Sequence, residues 1–344
     1  MSLRFNGYYL LSALLLLVFI GLRSELGRDW ENYERIYNSV GQEFVIGMSR
    51  EFGFLSLIDW CNGIGIQFQG FVVIITIITL TLFFLSYKQF YYLLPAAIFI
   101  FFVDLGYASI INLMRQTLAL FAFMCALNYS GKTDRKSMFM FFLFIFIGFS
   151  FHYSILIFLP FWFIDRLHLS LSKLLIICAG VFIFCHFFLA EIYGDALELI
   201  PKYSAAYSDS SDINIINTES TFGLGALLVL FIRLIPLMFY NIMLKEDKQF
   251  EKYFIMLYLG LSIYYGFYNY LIITRITFYL QFSQLVVMPY IIYKSFKTRN
   301  SSYQMLGLLF IFLISFNFIY TFPDFINGHV VARQYHLMFM DFMK

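Results

Sequence analysis

Charge is what this chain has least of. Asp, Glu, Lys and Arg make up 13% of its 344 residues, about half the roughly 25% of a soluble globular protein. Hydrophobic residues reach 61% and mean hydropathy is +0.78. A soluble core is excluded. Alternation of apolar and polar residues is also missing, which excludes the strands of a membrane barrel. Several windows instead run about 18 or more residues with few or no charges, the length a helix needs to cross a bilayer. In lipid a spanning segment must satisfy its own backbone polar groups, so these runs read as helices. The first run, residues 8–22, lacks a small-residue cleavage site and is followed by a charged segment. It reads as a retained helix rather than a signal peptide. The four cysteines, Cys61, Cys125, Cys178 and Cys185, lack metal-ligand spacing and read as packing groups. No metal and no cofactor is expected. No internal repeat marks a transporter built from inverted halves.

What is present is an all-α polytopic membrane protein with about eleven spans. They fall at residues 5–22, 70–87, 91–105, 109–129, 138–150, 154–164, 174–190, 222–243, 253–270, 277–293 and 303–320. The whole chain, 1–344, reads as a single integral membrane domain. It carries an outer segment, 23–69, with an interfacial or re-entrant helix in EFGFLSLIDWCNGIGI. A long outer loop, 191–221, and an outer amphipathic tail, 322–344, complete it. The loop is rich in Tyr, Ser, Asn and Asp, which suit sugar recognition, or it is simply a flexible connection.

The basic residues sort by side. With the N-terminus inside, nine of eleven lysines fall in inner loops, and eight of twelve arginines lie outside or in the outer half of a helix. Inner lysines serve topology under the positive-inside rule. The net charge of +2 therefore says nothing of nucleic acid, and no nucleic-acid partner is expected. Arginine suits bidentate recognition of phosphate or carboxylate where water is scarce. Arg115, Arg233 and Arg275 lie in or at the edge of predicted helices, where an unpaired charge is costly. They read as the wall of a site for an anionic ligand. The competing reading pairs them with outer acids such as Asp104, Glu51 or Asp29.

One stretch gathers these signals. In residues 112–154 two apolar runs flank a basic turn, with Arg115 near the outer end of one run and His152 at the outer end of the other. A hairpin of two membrane helices brings them to one face. Asn112, Arg115 and Gln116, at i, i+3 and i+4, form a polar stripe on an otherwise apolar helix. In the outer segment Asp29 and Tyr33, four apart, share a face if that segment is helical. His168 reads as a solvated loop residue and His186 as a satisfied core group.

The order of these motifs resembles the EpsG-like and Wzy-type polysaccharide polymerases of bacterial membranes. The resemblance runs over residues 23–290. It rests on Arg23, Arg28, Asp29 and Tyr33, then Glu51-Phe52-Gly53-Phe54, then Asn112, Arg115 and Gln116, then Phe151, His152 and Ser154, then Arg275 and Tyr279. Phe52 stands where the family has proline, and the family's extra N-terminal helix is absent or reduced. The resemblance implies a glycosyltransferase-C-like helical bundle in the bacterial cytoplasmic membrane. It implies a transferase that joins undecaprenyl-diphosphate-linked oligosaccharide repeats at the outer face, with a chain-length regulator as a further partner.

On that reading Arg115, Arg275, Arg23, Arg28 and Arg233, with Tyr33, Asn112 and Gln116, bind the diphosphate and substrate. Diphosphate departure develops negative charge, which placed arginines stabilise without a metal. His152, Glu51 and Asp29 are the candidates for the base that deprotonates the acceptor hydroxyl. Two other readings use the same arginines, a flippase for the lipid-linked glycan and an O-antigen ligase-type transferase. A flippase needs polar groups along the full depth of a path, and here the intramembrane charges cluster near one face.

Overall fold

The computed structural model describes residues 7–24, 26–27, 29–39, 51–103, 110–189, 224–267, 271–298 and 300–326. Regular structure among them is helical, and they contain no strand. This is the all-α polytopic membrane protein that the composition predicts. The outer loop 191–221 and the tail beyond residue 326 lie outside the described residues, as do Arg28 and Asp104. Residues 322–326 continue the last helix, Ser301–Ile326.

Four helical stretches are long and apolar enough to cross a bilayer: Phe68–Ser86, Leu171–Leu189, Arg275–Lys297 and Ser301–Ile319. Shorter apolar helices accompany them. The short predicted span at 154–164 takes an unexpected form. Residues Tyr153–Arg166 wind as a 3-10 helix of 14 residues around Pro160. At about 2.0 Å rise per residue, that length reaches about 28 Å, close to the thickness of the hydrocarbon core. The tighter winding lets a short sequence cover a long path.

The chain forms two compact units, Met1–Ile164 with Phe312–Lys344, and Asp165–Ile311. In the first, the helices up to the candidate site are α1 (Gly7–Gly21), α2 (Trp30–Asn38), α3 (Phe52–Gly63), α4 (Phe68–Ser86), α5 (Leu94–Val103), α6 (Met114–Leu127) and α7 (Arg135–Phe151). Helix α6 is the centre of this unit, since every residue from Gln116 to Leu127 is buried. It packs between α4 and α7. Small residues permit the close approach: a Cβ on Gly148 of α7 would lie 3.1 Å from the Ala119 carbonyl and 3.2 Å from the Ala122 Cβ. Asn128 seals the end of α6 by donating from Nδ2 to the Ser86 carbonyl at 3.0 Å. The turn to α7 uses Gly131 at φ 70°, and Asp134 caps α7 by accepting from the Ser137 amide at 2.8 Å. The α6–α7 pair is thus the expected hairpin.

Helices α2 and α3 are pinned onto the start of α4 by aromatic contacts. Helix α2 is short and amphipathic, burying Trp30, Tyr33, Ile36 and Tyr37. Trp30 meets Phe68 at 5.0 Å, Tyr37 meets Phe71 at 5.2 Å, and Phe54 of α3 meets Phe71 at 5.5 Å. Helix α3 has 12 residues, fewer than a helix needs to cross a bilayer.

The second unit is built on the helix Glu251–Gly266, packed against Leu171–Phe184 and Leu271–Gln281. Its start is anchored by Glu251, which accepts from the Leu169 amide at 2.7 Å and contacts His168 Nδ1 at 2.9 Å. His168 is thus exposed, as expected, and also contacts Glu251. His186 differs from expectation: it is exposed and stacks on Phe182 at 5.6 Å. On this exposed face of an apolar helix, ring stacking replaces the predicted core environment.

Candidate active site

Glu51 joins the two ends of the hairpin. It stands at the N-cap of α3, with extended backbone at φ −81°, ψ 97°. Its Oε1 lies 2.5 Å from His152 Nδ1, and its Oε2 accepts from Arg115 NH1. His152 is the C-cap of α7, extended at φ −160°, ψ 117°, so its ring leaves the helix at the level where α3 begins. Arg115 sits in the first turn of α6. Three segments far apart in sequence therefore present an acid, an imidazole and a guanidinium at one place.

Side-chain exposure is graded across the three, 8% for Glu51, 21% for Arg115 and 31% for His152. The carboxylate is the enclosed member and the imidazole the accessible one. An ionised carboxylate only accepts, so the Nδ1 facing it carries the proton. With Nδ1 turned to Glu51, Nε2 is the ring nitrogen left for another partner. Glu51 lies outside the membrane-spanning segments. Burial pushes its carboxyl up, but hydrogen bonds and charge from His152 and Arg115 outweigh burial and hold it below the usual carboxylate range.

Aromatic rings hold Arg115 in place. Its guanidinium lies 5.6 Å from the Tyr33 ring centroid and 5.3 Å from that of Phe54. Such contacts orient a guanidinium and weaken its hydration. Asp29 stands at the N-cap of α2, four residues before Tyr33, whose phenol burial pushes up. Arg115 is thus paired with Glu51, one of the acids named as possible partners.

The other predicted residues fall as follows. Arg23 is fully buried, donating to the Ile20 carbonyl at 2.5 Å and the Ile111 carbonyl at 3.5 Å, beneath Trp30 at 5.7 Å. It ties the outer segment to the start of the hairpin. Asn112 does not share a stripe with Arg115 and Gln116. The helix breaks at Leu113, φ −122° and ψ 51°, so Asn112 precedes the break, while Gln116 is buried within α6. Arg233 and Arg275 belong to the second unit. There Arg233 donates to Gln281 Oε1 at 3.0 Å, and Gln281 in turn donates to Thr277 at 2.7 Å. Arg275 is exposed. No group of three or more His, Cys, Asp or Glu side chains could hold a metal among the described residues.

Sequence reasoning named Gly53 as part of the EFGF motif but gave it no role. A Cβ on Gly53 would lie 2.4 Å from Ser150 Oγ and 2.9 Å from the Ser150 carbonyl oxygen. Gly53 follows Glu51 by two and Ser150 precedes His152 by two, so this crossing of α3 over α7 sets the distance between acid and imidazole. The signal was the glycine inside the EFGF motif.

Fold and site together define a multi-pass helical membrane protein with a polar, carboxylate-bridged centre at one end of a buried hairpin. The EpsG family model matches residues 6–331, and the chain belongs to that family, the EpsG-like polysaccharide polymerases. Its general role is polysaccharide polymerisation in a membrane. No curated protein and no solved structure matches the chain.

Proposed function

We propose that the protein polymerises oligosaccharide repeats carried on undecaprenyl diphosphate, at the outer face of the cytoplasmic membrane. The observation that carries this is Glu51 holding Arg115 and His152 together. The acceptor hydroxyl of a new lipid-linked unit attacks the anomeric carbon at the reducing end of the nascent glycan. The bond from that carbon to the diphosphate oxygen breaks, and the diphosphate leaves with the electron pair. His152 Nε2 takes the hydroxyl proton while Glu51 holds the ring in its Nδ1–H tautomer. Glu51 has both oxygens engaged, which favours a positioning role over that of base.

Arg115 stabilises the charge that develops on the leaving diphosphate. Within the same unit, Tyr33, Asn112 and Gln116 remain candidates for substrate contact. Arg23, enclosed and bonded to carbonyls, is assigned to holding the outer segment. The lysine-rich loops support an N-terminus inside, and with it a site outside.

The test is purified protein, reconstituted with lipid-linked repeat units and no other protein. A glycan ladder is the expected result. Transbilayer movement of the units without a ladder would make the protein a flippase. Arg115→Lys keeps a positive charge beside Glu51 but loses the planar fork. It is expected to slow ladder formation by about 10²–10³-fold, the effect of removing one transition-state donor. Ladders at the normal rate would remove Arg115 from the mechanism.

A further inference from the structure

Helix α7 carries an aromatic stripe on the face turned away from α6. Phe139, Phe142, Phe146 and Phe149 recur at spacings of three, four and three, which is one side of a helix. The first three are 65%, 48% and 57% exposed. The adjoining face, with Phe141, Ile145 and Gly148, is buried. Tyr153, 39% exposed, continues the line past His152 and meets Phe149 at 5.1 Å. At about 1.5 Å rise per residue the four phenylalanines cover about 15 Å of helix.

A second element turns the stripe into a notch. Phe52, the neighbour of Glu51 on α3, reaches Phe146 at 5.8 Å and Phe149 at 6.1 Å, and is 44% exposed. The aromatic track therefore begins beside both Glu51 and His152 and runs along α7 away from them.

We propose that this track seats the isoprenoid chain of the lipid-linked substrate. The inference rests on the polymerase reading and names the specificity element of that site. Continuity is the argument. The lipid is joined through the diphosphate to the reacting sugar, so its chain must leave the site from beside Arg115 and His152 into an apolar phase. The track is an apolar surface contiguous with that point. In a bilayer, selection among chains comes from packing and not from escape from water. Rigid rings at a fixed spacing supply a shaped surface for a branched chain, which fluid acyl chains match less well. Phe52 contributes because this chain has phenylalanine there.

The experiment measures binding in nanodiscs, with a long-chain polyprenyl diphosphate and geranyl diphosphate as probes. The protein is expected to bind the long probe more tightly. Replacing both Phe139 and Phe146 by alanine touches two rings that are mostly exposed, so the fold is spared. The double variant is expected to lose roughly three- to tenfold in affinity for the long probe, with geranyl diphosphate affinity unchanged. Arg115→Lys is expected to weaken both probes together. An undiminished preference for the long probe in the double variant overturns the proposal. So do equal affinities in the unaltered protein. If the unaltered protein binds neither diphosphate, the polymerase reading fails first and the track falls with it.

Discussion

His152→Gln is expected to slow chain extension by about 10²–10⁴-fold, the usual worth of a positioned general base. Glutamine's amide reaches the position of Nε2 rather than that of Nδ1, and it cannot take a proton at neutral pH. Donor binding is expected to persist, because Arg115 keeps its carboxylate partner. Initial rates of ladder formation beside retention of labelled donor separate the two effects. Loss of donor binding instead of rate would make the imidazole a ligand contact and place the base elsewhere. Glu51→Gln is expected to cost nearly as much, and the double variant little more than either alone, since residues that act as a unit are non-additive. Additive losses would mean that Glu51 and His152 act separately. Glutamine is the informative substitution at Glu51, because removing one member of a buried pair outright costs about 3–5 kcal/mol and confounds rate with folding.

The second large effect is expected from a single methyl group. Gly53→Ala would put its Cβ 2.4 Å from Ser150 Oγ and 2.6 Å from Ser150 Cβ. Rotating the hydroxyl does not relieve this, because the Ser150 carbonyl oxygen, 2.9 Å away, is backbone. Helix α3 must shift from α7, and Glu51 moves with it. A displacement of about 1 Å at a reacting geometry costs on the order of 10²-fold in rate, and overpacking costs about 1–3 kcal/mol in stability. Gly63→Ala, in the same helix, meets nothing within 4 Å and is expected to be silent. Ser150→Gly removes two of the three clashing atoms and is expected to restore part of the activity of Gly53→Ala. Equal behaviour of the Gly53 and Gly63 variants would show that the helix crossing does not set the site.

The contrast between Arg115 and Asn112 shows where sequence reading works and where it stops. Arg115 was conspicuous because a guanidinium in an apolar run is costly wherever the helix goes. Its partner was one of three acids, and nothing local chooses among them. Asn112 was placed on the Arg115 face by helical spacing, which assumes an unbroken helix. The break at Leu113 is not signalled by glycine or proline, so spacing carried no warning of it. The Tyr153–Arg166 segment differs for a similar reason. Its apolar composition announced a helical span, but winding at 3 residues per turn leaves no mark in the apolar pattern.

Composition alone determined the solvent of this protein. With so few charges, long apolar runs have no soluble solution, and backbone satisfaction in lipid leaves helices. The order of motifs along the chain was also sufficient for the EpsG family. Tertiary structure decided which of those motifs meet. Glu51, Arg115 and His152 are separated by 64 and 101 residues from the acid to its two partners. Their contact depends on how α3 crosses α7 at Gly53 and how α6 lies buried between α4 and α7. Those are packing outcomes, summed over many weak contacts between segments remote in sequence, and no local pattern encodes them.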